Sequence, residues 1–128
     1  MARNRSIGLT ETELRLMEVI WRKGKATVPE VIEALRAKPA PAYNTVLTTV
    51  TILERKGYLR HKAPSVGRAF VYYPVVSRRQ ASGKAVKHLL NRFFGGSAEA
   101  LILNLIEDEK LSKVELNRVR NLLKEEPE

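Results

Sequence analysis

The chain has 128 residues, enough for one ordinary domain or a small domain with an appended segment, whereas two independent halves would each be marginal. Its formal charge of +9 is lopsided: residues 1–76 hold 13 Lys or Arg against 6 acids, residues 77–128 hold 10 against 8, a field that favours nucleic acid or an anionic membrane surface as partner. The lack of cysteine removes disulfides, thiol catalysis and thiolate metal sites, and the two histidines, His61 and His88, fall in separate elements and make no conventional zinc set.

Residues 1–7 are basic and unpatterned and read as a mobile arm, with Arg3 and Arg5 available to a minor groove, a disordered basic terminus being the more economical account. The first helix starts at a capping box, Thr10 with Glu13, stapled by Leu9 and Leu14. Leu14, Met17, Ile20 and Trp21 give its apolar face, and Gly24 stops it behind Arg22 and Lys23. Thr27 and Glu30 repeat the box for a shorter helix with Val28, Val31, Ile32 and Leu35 inward, ended by Lys38-Pro39-Ala40-Pro41. A third helix is expected from Ala42 or Tyr43 to Lys56, stopped by Gly57, with Tyr43, Val46, Val50 and Leu53 as its inward stripe.

Two β-capable runs follow, 58–62 and 68–73, around a Pro64-Ser65-Val66-Gly67 turn, predicting a hairpin with a four- to six-residue connection closed by Pro74. Ser77 with Gln80 opens a fourth helix that halts at Gly95-Gly96, Ser97 caps a fifth, and Ser112 with Glu115 opens a sixth. The fold class is mainly α (α+β): an N-terminal winged helix-turn-helix with a two-stranded wing, then a three-helix segment. The boundaries drawn are 9–76 for a DNA-binding domain and 77–124 for a dimerisation domain.

In a winged helix-turn-helix the second helix of the pair enters the major groove and the hairpin reaches the backbone beside it. The third helix is rich in threonine, a mediocre helix former. Its side opposite the inward stripe is expected to carry Asn44, Thr45, Thr48, Thr49, Ile52 and Arg55. Thr45, Thr48, Thr49 and Ile52 are the candidates for base edges, Ile52 against a thymine methyl; the bland alternative has the threonines tiling a half-buried helix and Ile52 joining the core. Tyr43, Asn44, Arg55, Lys62 and Arg68 are the backbone candidates, with the Tyr43 ring packing inward and its hydroxyl toward phosphate. Arg60 and Lys56 extend the basic patch, and His61 is expected to turn toward or beside the core.

The last three helices carry apolar residues in excess of what they can hide. Val86, Leu89, Leu90, Phe93, Phe94, Leu101, Ile102, Leu105, Ile106, Leu116, Val119 and Leu123 are therefore expected in a two-fold homodimer, the alternative being a monomer folded back on residues 1–76. Catalysis is not expected. Asp108 is the chain's only aspartate, the Glu107-Asp108-Glu109 cluster reads as a solvated helix end, and Gly95-Gly96-Ser97 lacks both a nucleophile elbow and a phosphate-loop lysine. With no apolar run near 18 residues and no signal peptide, a soluble cytoplasmic protein without cofactor or metal is expected.

Three stretches in order resemble the penicillinase and methicillin-resistance repressor family, BlaI and MecI. They are residues 9–13 with 17–21, Thr45-Val46-Leu47-Thr48-Thr49 leading to Leu53-Glu54-Arg55-Lys56-Gly57, and Gly67-Arg68-Ala69-Phe70-Val71-Tyr72. The resemblance spans about Leu9 to Leu123. It implies a dimeric cytoplasmic repressor, responsive to antibiotic, that binds a palindromic operator, with a membrane metalloprotease sensor pathway acting on it. Leu103-Asn104-Leu105 matches the place where such repressors are cleaved after asparagine, with Leu105 standing for an aromatic residue. Staphylococcal-type members have arginine at the position of Ile52, and the paired cysteines of the copper-responsive relatives are missing here. The rival function from another class is a protein-interaction adaptor with a basic winged domain, and a transcriptional activator is the variant within the same class.

Overall fold

The computed structural model describes residues 8–64, 67 and 69–125. Its elements run α1 (Glu11–Lys23), α2 (Val28–Leu35), α3 (Tyr43–Arg55), β1 (Leu59–Lys62), β2 (Val71–Pro74), α4 (Arg78–Phe93), α5 (Ala98–Glu107) and α6 (Lys113–Glu125). The chain divides into two compact units, Met1–Ala85 and Val86–Glu128, the division falling within α4.

Local chemistry sets most of the boundaries. At α1 the Glu13 amide donates to Thr10 Oγ1 at 3.1 Å and the Thr10 amide to Glu13 Oε1 at 3.0 Å, so two of the helix's orphan N–H groups are satisfied. The same reciprocal pair forms at Thr27/Glu30, Ser77/Gln80 and Ser112/Glu115, as the sequence predicts. Gly24 closes α1 at φ +88°, a conformation that side chains with a β-carbon avoid. The second helix stops earlier than the proline pair suggests, because Arg36 already takes the left-handed conformation at φ 54°.

The core of the first unit is drawn from every element around it. Leu16, Met17, Val19 and Ile20 come from α1, Val28 and Val31 from α2, Val46, Val50 and Leu53 from α3, with Ala26, Tyr58, Leu59 and Tyr72 closing it. Each of the valine, leucine, isoleucine and methionine side chains among them contributes roughly 1.5–3 kcal/mol by leaving water. Leu14, expected inward, is 37% exposed, while Leu16 and Val19 occupy the face assigned to it. The hairpin pairs Leu59 with Pro74, Arg60 with Tyr73, His61 with Tyr72 and Lys62 with Val71. It leaves residues 63–70 as the connection, longer than predicted. Pairing ends at Lys62, and Pro64 just beyond it has no N–H to extend a ladder. On its other edge Tyr72 exchanges two hydrogen bonds with Ala26, at 3.0 and 2.8 Å, which ties the wing to the turn between α1 and α2.

The start of α4 belongs to this unit. The Trp21 indole N–H donates to the Val76 carbonyl at 2.9 Å, Arg78 lies over the Trp21 ring and 3.6 Å from Glu18, and Lys84 lies over Tyr58. In the second unit, Gly95 and Gly96 both take positive φ between α4 and α5, and the Gly96 amide donates to the Leu90 carbonyl at 2.8 Å. The Ser97 hydroxyl accepts from the Ala100 amide at 3.0 Å. No described residue of α4, α5 or α6 is buried.

Candidate nucleic-acid interface

Helix α3 has two unlike faces. Val46, Thr49, Val50 and Leu53 are buried, while Asn44, Thr48, Thr51 and Arg55, at spacings of four, three and four, form an exposed stripe. Thr45 is exposed beside that stripe and Ile52 is half-buried on its flank. Two sequence expectations are corrected. Thr49 is only 9% exposed: it lies about 100° round the helix from Thr48 and shares a face with Val46 and Leu53. Tyr43, the first residue of α3, is 50% exposed and does not join the buried stripe.

The threonine hydroxyls divide the same way. Thr49 Oγ1 donates to the Thr45 carbonyl at 2.9 Å and Thr51 Oγ1 to the Leu47 carbonyl at 2.8 Å, bonds internal to the helix. Among the described residues, Thr45 and Thr48 make no such bond, so their hydroxyls are available to an incoming donor or acceptor. Thr51, which sequence reasoning left out of the site, was findable there: it sits three residues after Thr48 and four before Arg55.

Positive charge around the stripe is unequal. Arg55, Arg60 and Lys62 are exposed, and Lys62 and Lys25 both lie over the Tyr73 ring, with Nζ 5.3 and 6.0 Å from its centroid. Lys25 is a second addition that the sequence did not single out, because only the Ala26–Tyr72 pairing brings it beside the hairpin. Lys56 leaves the patch. Its Nζ lies 2.8 Å from Glu13 Oε1 and 3.3 Å from the Gly8 carbonyl, with the side chain 20% exposed, so its charge is spent inside the fold. His61 places Nδ1 2.8 Å from Glu54 and stacks on Phe70. Arg68, Arg3 and Arg5 lie outside the described residues.

Burial pushes the phenols of Tyr58 and Tyr72 above their ordinary value of 10.0, with Glu13 adding to the first, and Glu54 and then Tyr43 to the second. Both stay neutral at ordinary pH. No group of three His, Asp or Glu side chains able to hold a metal occurs among the described residues, and none of their helices is long and apolar enough to cross a membrane.

The second unit presents the other surface of interest. Val86, Leu89, Phe93, Ile102, Ile106, Val119 and Leu123 are exposed, Phe93 and Leu123 at 68% and 69%, while Leu90, Phe94, Leu101, Leu105 and Leu116 are half-buried. Leu103 is exposed as well, and so are Val114 and Leu122, which were not singled out from the sequence. Asn104 and Leu105 lie inside α5.

Comparison with known proteins bears on the whole chain. The methicillin resistance regulatory protein MecI of Staphylococcus aureus strain N315 is 29% identical over 120 residues, covering 94% of this chain and 96% of its own. The penicillinase repressor of Bacillus licheniformis is 32% identical over 117 residues, 91% of this chain and 90% of its own. The solution structure of the DNA-binding domain of the repressor BlaI aligns with 61% of this chain and 93% of that one, at 29% identity and a TM-score of 0.49. The profile of the penicillinase repressor family matches residues 9–125. With that match over nearly its full length, the chain belongs to the penicillinase repressor family.

Proposed function

We propose that the protein is a DNA-binding transcriptional repressor that acts in the cytoplasm as a homodimer on a palindromic operator. Residues 9–76 serve as the winged-helix reader and residues 77–124 as the dimerisation segment. The observation that carries this reading is the exposed Asn44/Thr48/Thr51/Arg55 stripe on α3, beside a hairpin bearing Arg60 and Lys62. Such a helix offers short hydroxyls and methyls to base edges, with an amide at its start and a cation at its end for phosphate. Thr45 and Thr48 are the base-side residues, with Ile52 at the edge of the contact. Tyr43, Asn44, Arg55 and Lys62 are the backbone-side residues, with Arg68 assigned to that set from the sequence alone. Thr49 supports the helix from below.

Family membership and the names of the relatives favour repression over activation. Dimerisation rests on the uncovered apolar side chains of α4–α6, which exceed what a solitary soluble helix set leaves in water. Release by a membrane metalloprotease sensor pathway would cut after Asn104. Because that bond sits in mid-helix, α5 must unwind locally before a protease can take it as an extended strand.

Selection from a random duplex pool, followed by footprinting on the DNA upstream of the gene, tests the reading. The expected result is an inverted repeat that overlaps a promoter. Equal affinity for scrambled duplex would leave the protein-interaction adaptor as the better account, and an inverted repeat upstream of the promoter with raised transcription would favour an activator.

A further inference from the structure

Wing and recognition helix are joined by a histidine–carboxylate hydrogen bond. His61, in β1, places Nδ1 2.8 and 2.9 Å from the two carboxylate oxygens of Glu54 in the last turn of α3. Its ring is held by Phe70, with centroids 4.7 Å apart, and by its cross-strand partner Tyr72 at 5.7 Å. Glu54 is the only acidic residue in α3. A carboxylate there, one position from Arg55, opposes the field that phosphates require.

We propose that His61 is a positioning residue for operator binding: as imidazolium it fastens β1 to α3 through Glu54 and offsets the only carboxylate of the recognition helix. This rests on the DNA-binding reading above. The two effects have one sign. Protonation completes a charge-assisted hydrogen bond that fixes the wing against the helix, and it removes a local repulsion toward phosphate. Raising the pH undoes both, so operator affinity falls as His61 loses its proton. Among the described residues, the other ionisable groups around the ring are Glu54 on α3, Tyr72 on β2 with Tyr43 of α3 acting on it, and Arg60 and Lys62 flanking it on β1. Burial, then Glu54 and Tyr43, push the Tyr72 phenol above its ordinary value of 10.0, so it stays neutral throughout and the pH dependence is assigned to the His61–Glu54 pair.

The test measures binding of the full chain to a 30-base-pair duplex recovered by selection, at constant ionic strength, from pH 5.5 to 8. Wild-type affinity is expected to weaken about three- to fivefold across that range, the size of a partly exposed ion pair. H61Q should be flat and weak, H61R flat and tight, and E54Q/H61Q should recover most of the loss, because the penalty in H61Q is the uncompensated carboxylate. His88 is present in every variant and cancels. A uniform weakening of H61Q that keeps the wild-type pH profile would overturn the inference and leave DNA binding intact. Wild type that prefers no duplex at any pH would overturn both. H61R keeps the proposal testable if H61Q fails to fold, since a pH profile like that of wild type in H61R also overturns it.

Discussion

Thr48 and Thr49 are neighbours in sequence with opposite duties. Thr48 is exposed and its hydroxyl is uncommitted, whereas Thr49 is buried and bonded to the Thr45 carbonyl. Thr48→Ala is expected to weaken binding to the selected operator about three- to tenfold, with non-specific affinity unchanged, since one polar contact to a base edge is worth about 1 kcal/mol. Its thermal stability should hold or rise slightly, alanine being the better helix former. Thr49→Val should do the reverse, changing stability by less than about 1 kcal/mol and the operator footprint not at all. Parallel anisotropy titrations and urea melts separate the pair; a T49V operator defect as large as that of T48A would return Thr49 to the base-contacting set. The sequence alone made the two look alike because both lie off the strongest apolar stripe. What distinguishes them is the 100° step between adjacent helical residues, which carries Thr49 under α1 and leaves Thr48 outside.

At the scale of elements, the helix starts were fully legible. A capping box is a local code in which residue i and residue i+3 satisfy each other's backbone partners, so Thr10/Glu13, Thr27/Glu30, Ser77/Gln80 and Ser112/Glu115 needed no tertiary information. The contacts that orient the elements were not legible, because their partners are far apart or change role on folding. Glu13 serves its cap and also meets Lys56, 43 residues later, which turns an apparent DNA-facing lysine into the tie between α1 and the end of α3. Lys56→Met is therefore expected to lower unfolding free energy by about 2–3 kcal/mol, as it strands a carboxylate that is only 6% exposed. Adding Glu13→Gln should restore part of that loss, and salt should change it little. A K56M melt that matches wild type, together with a reduced salt slope of DNA binding, would restore Lys56 to the phosphate contacts. The wing carries its own signature. Tyr58 and Tyr72 have phenols raised above 10.0 mainly by burial, so the neutral form is favoured in the fold. Their contribution is complete below pH 10 and is lost as pH climbs through the raised values. Urea melts at pH 9 and pH 11 should show that loss, and Tyr72→Phe should show less of it.

For the whole molecule, the first unit has a core, whereas no described residue of the second is buried. The first unit buries side chains from three helices and a hairpin, while Phe93 of α4 and Leu123 of α6 stay two-thirds exposed. A surface of that composition is stable in water only when something covers it, and the proposed second copy of the chain would do so while doubling the number of recognition helices. Affinity then depends on linkage: once one recognition helix is docked, the other searches at millimolar effective concentration, worth roughly 10²–10⁴ in affinity. Phe93→Asp should break that linkage without touching the reader. Sedimentation at micromolar concentration should move from dimer to monomer, and affinity for the full palindrome should fall about a hundredfold or more while affinity for an isolated half-site stays put. The slope of log affinity against log salt on the palindrome should drop by about half, because each copy brings its own phosphate contacts. Wild type that sediments as a monomer at all these concentrations would refute the dimer, and equal wild-type affinity for one half-site and for two would refute the linkage. Half-site and full-site titrations on F93D thus decide whether the apolar helices contribute to recognition through assembly alone.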